Sequence, residues 1–360
     1  MMKRILAAAA AAVVIAAGTA PAMAAASATS TTKPTVVVIG TGGTIAGEAR
    51  SRVSFESYKP GRLPTSDLVK SLQPEVGEVA EVSVRDFGGK GSSGYSLAEY
   101  HDLSRLIDRQ LATADAVVVA TGTQTMEELA YWLDLTVRSP KPVVITGAMR
   151  PWSAISSDGP ANLYNAIRLA ASRRTHCFGT VVTLNDEIFA AREVTKTSTQ
   201  RLNTFAAPET GPLGAIGDQG VTLLRAPART CAKTPFDLSK ISRGKLPKTE
   251  IVYTYAQAGG ESVKAFTDAG AKGLVFAGTP SPQQFQQAQA AAKRGVALVA
   301  ANRNSSGAVH ADVPGVIAAQ DLLPQKARLL LTLSLATARD SAQVPELFAK
   351  YGRPQTKELS

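Results

Sequence analysis

The chain has 360 residues, of which 44% are hydrophobic, enough for a large core and two domains. The formal net charge is +10, but the basic residues are scattered and aromatic residues make up only 6% of the chain, so a solvated basic surface is favoured over nucleic-acid binding. His101, His176 and His310 lack the spacing of metal ligands, and no metal site is expected. Two alternatives stay open for Cys177 and Cys231: a disulfide, or one buried and one exposed thiol.

The first 24 residues have the pattern of a signal peptide. Lys3-Arg4 supplies positive charge, an apolar stretch runs from Ile5 to Ala17, and Ala22-Met23-Ala24 fits a cleavage site, with a second candidate after Ala28. The apolar stretch is too short to span a bilayer, and no later one reaches about 18 residues. We therefore expect a secreted protein, periplasmic or extracellular, without membrane attachment after cleavage.

Strand and helix patterns alternate after a low-complexity leader at residues 25–34, which is expected to be disordered. The alternation predicts an α/β fold of two domains, with a doubly wound, mostly parallel sheet in the larger N-terminal domain at 35–224. A linker at 225–249 and a smaller C-terminal α/β domain at 250–360 follow. The predicted strands are 36–40, 80–85, 116–120, 143–147, 179–184, 187–192, 251–255, 273–277 and 296–301. The predicted helices are 97–112, 125–137, 160–172, 323–338 and 344–350.

Two of the buried strand patterns end in a glycine turn that carries threonines. Val36-Val-Val-Ile39 leads into Thr41-Gly-Gly-Thr-Ile-Ala-Gly47, and Ala116-Val-Val-Val-Ala120 leads into Thr121-Gly-Thr-Gln-Thr125. Open α/β sheets bind ligands at the carboxyl ends of their strands. Two such turns in one crevice indicate a hydroxyl nucleophile and a second hydroxyl for an attacking water, which is the chemistry of a hydrolase.

A dinucleotide-binding loop is the alternative interpretation of Gly40-x-Gly42, but Ile45 stands where that loop needs a small residue. A threonine nucleophile instead needs a neighbouring base or hydrogen-bond acceptor. Tyr58 lies in a polar segment that can fold back over the strand ends, and Lys196 follows a β-type run, where burial would lower its pKa. Either residue alone is more often a surface or packing residue; together with the two turns they favour a catalytic site.

These motifs resemble the bacterial type II L-asparaginases and glutaminase-asparaginases over nearly all of the mature chain. The markers are the two threonine turns, the second continuing to Glu128, with Gly147-Ala-Met-Arg-Pro151, Ser157-Asp-Gly-Pro160, Asn162-Leu-Tyr-Asn165, Val194-Thr-Lys-Thr197, Gly211-Pro-Leu-Gly214, Thr234-Pro-Phe-Asp237 and Pro324-Gln-Lys-Ala-Arg328. The resemblance implies hydrolysis of an amide, with L-asparagine the leading substrate, and needs no cofactor. It also implies a homotetramer of tight dimers, each site lying between one subunit's N-domain and its partner's C-domain.

The resemblance assigns the four catalytic roles to individual residues. Thr44 matches the nucleophile that attacks the side-chain amide, and Tyr58 polarises its hydroxyl. Thr123 matches the threonine that activates water, and Lys196 is its basic partner. The reaction would pass through an acyl-enzyme and release ammonia.

Four further positions are expected to contact the substrate. Ser92 matches the serine that binds the α-carboxylate, and backbone N–H groups in the turns of Gly43 and Gly122 would stabilise the oxyanion. Gln124 stands where the family has an aspartate that holds the α-ammonium group. A neutral amide there should weaken the binding of free asparagine.

The C-terminal domain departs from the family in two places. Gly278-Thr-Pro-Ser-Pro-Gln283 replaces a Gly/Asn-rich turn that supplies an asparagine across the dimer interface, and the segment from Gly307 to Leu322 is shorter and omits the partner's glutamate, for which Asp312 is a candidate substitute. Two alternatives to an asparaginase follow. One is an enzyme for another amide, such as glutamine, D-asparagine or an amino-blocked amide, and the other is a weakly active amino-acid-binding homologue.

Overall fold

The computed structural model describes residues 32–229, 231, 236–310 and 312–353. The predicted signal peptide at 1–24 and the leader as far as residue 31 lie outside the described residues. Residues 32–34, the end of the leader, have no regular secondary structure. None of the helices in the described ranges is both long and apolar enough to cross a membrane.

The strands in the described part of the chain belong to two larger sheets and two small hairpin-like pairs. They are β1 (Thr35–Gly42), β2 (Glu48–Ala49), β3 (Tyr58–Lys59), β4 (Glu81–Lys90), β5 (Ala116–Ala120), β6 (Val143–Thr146), β7 (Thr180–Leu184), β8 (Glu187–Ala190), β9 (Thr195–Lys196), β10 (Phe205–Ala206), β11 (Gly214–Gly217), β12 (Gly220–Leu223), β13 (Thr249–Tyr253), β14 (Gly273–Ala277), β15 (Ala297–Ala301) and β16 (Val316–Ala318). The α-helices are α1 (Thr65–Lys70), α2 (Glu75–Val79), α3 (Leu97–Leu111), α4 (Met126–Thr136), α5 (Gly159–Ala171), α6 (Glu261–Asp268), α7 (Pro282–Lys293), α8 (Pro324–Thr337) and α9 (Gln343–Tyr351).

Eight strands form the large sheet, in the order β12-β11-β8-β7-β6-β5-β1-β4. Strands β4, β1, β5, β6 and β7 run parallel, and β8, β11 and β12 extend one edge in antiparallel pairing. Alternate residues of the central strands pack against α3 and α4 on one face and α5 on the other. Because both faces are covered, these strands are continuous apolar runs rather than alternating ones. The predicted α/β class and the mostly parallel sheet are confirmed.

The order of the strands fixes where the two threonine turns lie. Strand β1 pairs with β4 on one side and with β5 on the other, so the connections that follow β1 and β4 lead in opposite directions along the sheet. Such a reversal opens a crevice at the carboxyl ends of the adjacent strands, which is the usual ligand site of an open α/β sheet. The turns after β1 and β5 both lie at this crevice.

The smaller C-terminal domain has a four-stranded parallel sheet in the order β13-β14-β15-β16. Helix α8 packs against β13 and β14 and also against α4, so it joins the core of the small sheet to that of the large one. Helices α6 and α7 were not predicted, because α6 is short and α7 is rich in alanine and glutamine, with few large apolar residues to mark a face. The assignment of 225–249 as the interdomain linker stays a prediction.

Cys177 and Cys231 form a disulfide, with their Cα atoms 4.8 Å apart. Of the two alternatives left open by the sequence, the structure therefore has the paired form. Beside it, Arg229 forms an ion pair with the partly buried carboxylate of Asp134. Both contacts attach the chain beyond β12 to the large domain.

Candidate active site

Thr44 lies just beyond β1, where two glycines redirect the chain. Gly42 and Gly43 have φ angles of 91° and 82°, a region that residues with a side chain rarely adopt. Thr44 then begins a short 3-10 turn that ends at Ala46, and it is only 6% exposed. The turn places the hydroxyl of Thr44 at the crevice between β1 and β5.

Tyr58 reaches Thr44 from the other end of a small hairpin. Strand β3 pairs antiparallel with β2, with Tyr58 opposite Ala49, so the chain returns to the turn it has just left. The hydroxyl oxygens of Thr44 and Tyr58 are 2.6 Å apart, within hydrogen-bond distance. The structure thus brings together the two residues that the sequence predicted as nucleophile and polarising group.

Thr123 and Lys196 form a second hydroxyl–base pair. Lys196 lies on β9, which pairs with β10, and its Nζ donates a hydrogen bond to Thr123 Oγ1 at 2.8 Å. Burial lowers the pKa of Lys196, and the negative charge of Glu127 acts in the opposite direction. A lowered pKa makes the neutral amine, which can accept a proton, more accessible near neutral pH.

The two turns touch each other through their glycines. A Cβ atom on Gly43 would lie only 2.2 Å from Cα of Gly122, so the close approach of the backbones requires glycine. The hydroxyl of Thr41 also donates to that of Thr121 at 2.7 Å. The N–H of Gly43 donates to the carbonyl oxygen of Lys90 at 2.9 Å. The amide proton of Gly43 is therefore already engaged, and an oxyanion would need other N–H groups of the turns.

Ser92 contacts the second turn, and Gln124 is part of it. Ser92 is 6% exposed, and its Oγ accepts a hydrogen bond from the N–H of Thr125 at 3.1 Å, which leaves its own O–H to donate. That is the polarity needed to bind a carboxylate; the carboxylate-binding role of Ser92 itself stays a prediction. Gln124 is exposed, so its amide can reach a bound molecule but contributes no charge.

The turn at residues 278–283, where the C-terminal domain departs from the family sequence, has a structural role of its own. Ser281 caps α7 by accepting a hydrogen bond from the N–H of Gln284, whose side chain accepts from the N–H of Ser281 in return. Together with Asp312, residues 278–282 of this turn line a cavity of about 870 Å³ at the carboxyl ends of β13, β14 and β15. None of the described residues that line this cavity is Thr44, Tyr58, Thr123 or Lys196. A single chain therefore does not place Asp312 in the same cavity as the threonine pairs.

Two charged residues near the site were not predicted. Glu127, on the first turn of α4, and Lys326, on the first turn of α8, are both buried. They fall within the motifs that mark the resemblance, but no sequence pattern indicated their burial. Within the described ranges there is no group of three or more His, Cys, Asp or Glu side chains suited to holding a metal ion.

Known protein families match almost the whole of the described chain. The family described as "Asparaginase, N-terminal" matches residues 35–229, and "Glutaminase/Asparaginase C-terminal domain" matches residues 248–348. Together they span both sheets.

Individual relatives are similar along most of their length. The L-asparaginase 2 of Escherichia coli (strain K12) is 39% identical over 329 residues, covering 88% of this chain and 93% of the relative. A protein of Haemophilus influenzae named "Probable L-asparaginase periplasmic" is 37% identical, with coverages of 88% and 93%. The crystal structure of a probable cytoplasmic L-asparaginase from Campylobacter jejuni superposes with a TM-score of 0.85 at 38% identity, covering 89% of this chain and all of that one.

Proposed function

The chain belongs to the asparaginase family and is an amidohydrolase acting on asparagine, and we propose that it works through a threonine nucleophile and an acyl-enzyme. One observation carries the proposal. Two threonine hydroxyls lie in touching turns at the crevice of the sheet, and each is hydrogen-bonded to a group that can take part in proton transfer, Tyr58 at 2.6 Å and Lys196 at 2.8 Å. A hydroxyl needs such a neighbour to act as a nucleophile or to activate water.

The first half of the reaction belongs to Thr44 and Tyr58. The oxygen of Thr44 attacks the side-chain amide carbon of asparagine, and its proton passes through the hydroxyl of Tyr58 to the departing nitrogen. The carbon–nitrogen bond breaks, ammonia leaves, and an aspartyl ester remains on Thr44. N–H groups of the turns stabilise the negative charge on the carbonyl oxygen.

The second half belongs to Thr123 and Lys196. A water held by the hydroxyl of Thr123 attacks the ester, and the neutral amine of Lys196 takes the proton through Thr123. The bond to Thr44 breaks, aspartate is released, and the proton returns to the oxygen of Thr44. The 2.8 Å hydrogen bond and the lowered pKa of Lys196 support this role.

Partition with hydroxylamine tests the acyl-enzyme. An ester on Thr44 should be captured as aspartyl hydroxamate, with ammonia release continuing at its normal rate or faster. Thr44→Ala should form neither product, whereas Thr65→Ala, a buried threonine that hydrogen-bonds Asp86, serves as the control for an unrelated hydroxyl. Ammonia release without any hydroxamate, or substantial turnover by Thr44→Ala, would contradict the proposed intermediate.

Substrate selection is the finer part of the proposal. L-Asparagine is the leading substrate, but Gln124 offers no charge to an α-ammonium group, so we propose weaker selection for a free amino group than an aspartate would give. Ammonia release from L-asparagine, D-asparagine, L-glutamine and an amino-blocked asparagine, compared by kcat/KM, ranks the alternatives. A binding homologue without turnover would release ammonia from none of them.

A shared site in a homotetramer is also proposed. Residues 278–282, in the turn that replaces the family's Gly/Asn-rich turn, line a cavity separate from Thr44 within one chain, which is the arrangement expected if a partner subunit brings its own C-terminal domain to the site. Light scattering combined with activity over a dilution series tests this. A monomer with undiminished activity would contradict it.

We further propose that the protein is exported. The signal pattern at 1–24 and the disulfide support export, as disulfides persist in oxidising compartments. The names of the relatives point both ways, one to the periplasm and one to the cytoplasm. The N-terminal sequence of the protein recovered from the periplasm or medium decides: export predicts a new terminus after Ala24 or Ala28, and an intact Met1 in the cytoplasmic fraction alone would refute it.

A further inference from the structure

Glu127 is a buried carboxylate that the two hydrolytic pairs do not use. It lies on the first turn of α4, four residues after Thr123, and is only 7% exposed. Gln325 on α8 donates a hydrogen bond to its Oε1 at 3.3 Å, while Oε2 has no hydrogen-bond partner among the described residues. A buried charged oxygen without a partner is costly, so its presence calls for a physical reason.

Lys326, the residue after Gln325, holds the turn between β8 and β9 that leads to Lys196. Its Nζ donates to the carbonyl oxygens of Ala191 at 3.0 Å, Arg192 at 2.8 Å and Val194 at 2.5 Å. An ammonium group has three protons, so Lys326 has none left for Glu127. Burial lowers the pKa of Lys326 to about 8, and the negative charge of Glu127, which faces the ammonium group, opposes this lowering.

The other charged groups around this turn mostly have partners of their own. Glu128 pairs with Arg328 at 3.5 Å, while Glu127 forms no ion pair within the described ranges. Glu128, paired with Arg328, lies next to Glu127 on α4. The charged groups that face Lys326 besides Glu127 are Arg192 paired with Asp321, Glu193 paired with Arg225, and Asp134 paired with Arg229. Tyr253 and Arg303 line a cavity with Lys196.

Glu127 is thus the carboxylate whose charge acts on Lys196. Desolvation favours the neutral amine of Lys196, and Glu127 is the group that favours the ammonium form. The position next to Thr123, where the family has an anion, is occupied here by the neutral Gln124. The negative charge available to balance Lys196 therefore comes from Glu127 on α4, whose carboxylate accepts the hydrogen bond from Gln325.

We propose that Glu127 is a positioning residue for the hydrolysis: its buried carboxylate, fixed by the first turn of α8, supplies the negative charge that sets the balance between the ammonium and amine forms of Lys196. This inference rests on the proposed role of Lys196 as a base. Gln325 and Lys326 act with it, one by orienting the carboxylate and the other by fixing the turn that precedes Lys196.

The pH dependence of kcat/KM for Glu127→Gln tests the proposal, because glutamine keeps the shape and an oxygen for Gln325 but removes the charge. Without that charge the pKa of Lys196 falls, so the acidic limb of the profile should move to lower pH. The expected shift is at least about half a pH unit, smaller than the one to three units produced by a charge in direct contact. Glu128→Gln, next along the helix and paired with Arg328, is the matched control and should leave the midpoint unchanged.

Two further measurements separate charge from structure. Glu127→Asp retains the charge and should return the midpoint most of the way to that of the wild type, and thermal unfolding identifies any variant that has lost its fold. An unshifted limb in folded Glu127→Gln, or an equal shift in Glu127→Asp, would overturn the inference. Failure of the proposed function gives a different result. In that case the wild type releases no ammonia, or the acidic limb of its pH profile persists in Lys196→Met.

Discussion

The contact between the two glycine turns can be broken by a single methyl group. Gly43 has φ 82° and ψ −166°, a conformation almost restricted to glycine, in which another residue costs about 1–3 kcal/mol. The Cβ atom of Gly43→Ala would also lie 2.2 Å from Cα and 2.3 Å from N of Gly122, backbone atoms that cannot rotate away. Relieving such an overlap costs a further ~1–3 kcal/mol. We therefore expect the free energy of unfolding to fall by about 2–6 kcal/mol.

Gly295→Ala is a matched control. Gly295 has φ 84°, but its Cβ would meet no atom within 4 Å, so the substitution carries a backbone cost of about 1–2 kcal/mol without the overlap. Denaturant unfolding compares the two variants, and ammonia release from asparagine measures activity. If the turns part by about 1 Å to admit the methyl group, kcat/KM of Gly43→Ala should drop by roughly 100-fold, while Gly295→Ala keeps wild-type activity. Equal stability of the two variants with activity retained in both would refute the reasoning.

Three other substitutions test separate parts of the site. Tyr58→Phe removes the 2.6 Å hydrogen bond to Thr44 and should lower kcat by about 100-fold with an unchanged melting temperature; a rate near that of the wild type would remove Tyr58 from the reaction. Gln124→Asp should lower KM for L-asparagine by roughly tenfold and leave that for an amino-blocked analogue unchanged, and an equal effect on both would argue against an ammonium contact. Lys326 has a pKa of about 8 when folded and about 10.4 when unfolded, so it binds fewer protons in the fold between these values and the free energy of unfolding should rise with pH across that window. Lys326→Met should lack this rise in denaturant unfolding at pH 8 to 10, and an identical pH dependence in variant and wild type would count against the lowered pKa.

The sequence predicted the parts of the fold in which local pattern and burial agree. The apolar runs at 116–120 and 273–277 are strands β5 and β14 with the predicted bounds, since strands buried on both faces need apolar side chains at every position. The antiparallel pair β11 and β12 was missed. Its strands have four residues each and include glycines, so they carry little β-type pattern.

The candidate site divides in the same way. Thr44 and Tyr58 are 14 residues apart, and a short polar segment between them was enough to suggest that they meet. Glu127 and Gln325 are separated by 198 residues and meet through the packing of α4 against α8. Neither residue type nor spacing indicates that a glutamate in a polar helix start is buried, because that burial depends on an element from the other domain.

The disulfide between Cys177 and Cys231 closes a covalent ring of chain with a sequence separation of 54 residues. The ring contains β7 to β12, and so Lys196, while Thr44 and Thr123 lie outside it. In the loop-entropy treatment a ring of this size lowers the conformational entropy of the unfolded chain, which raises its free energy by about 4 kcal/mol. The disulfide takes no part in the proposed chemistry, yet it limits how far Lys196 can move from the large sheet when the chain partly unfolds. Lys196, the proton acceptor of the proposed mechanism, is thereby tethered to the sheet whose strand β5 leads to Thr123.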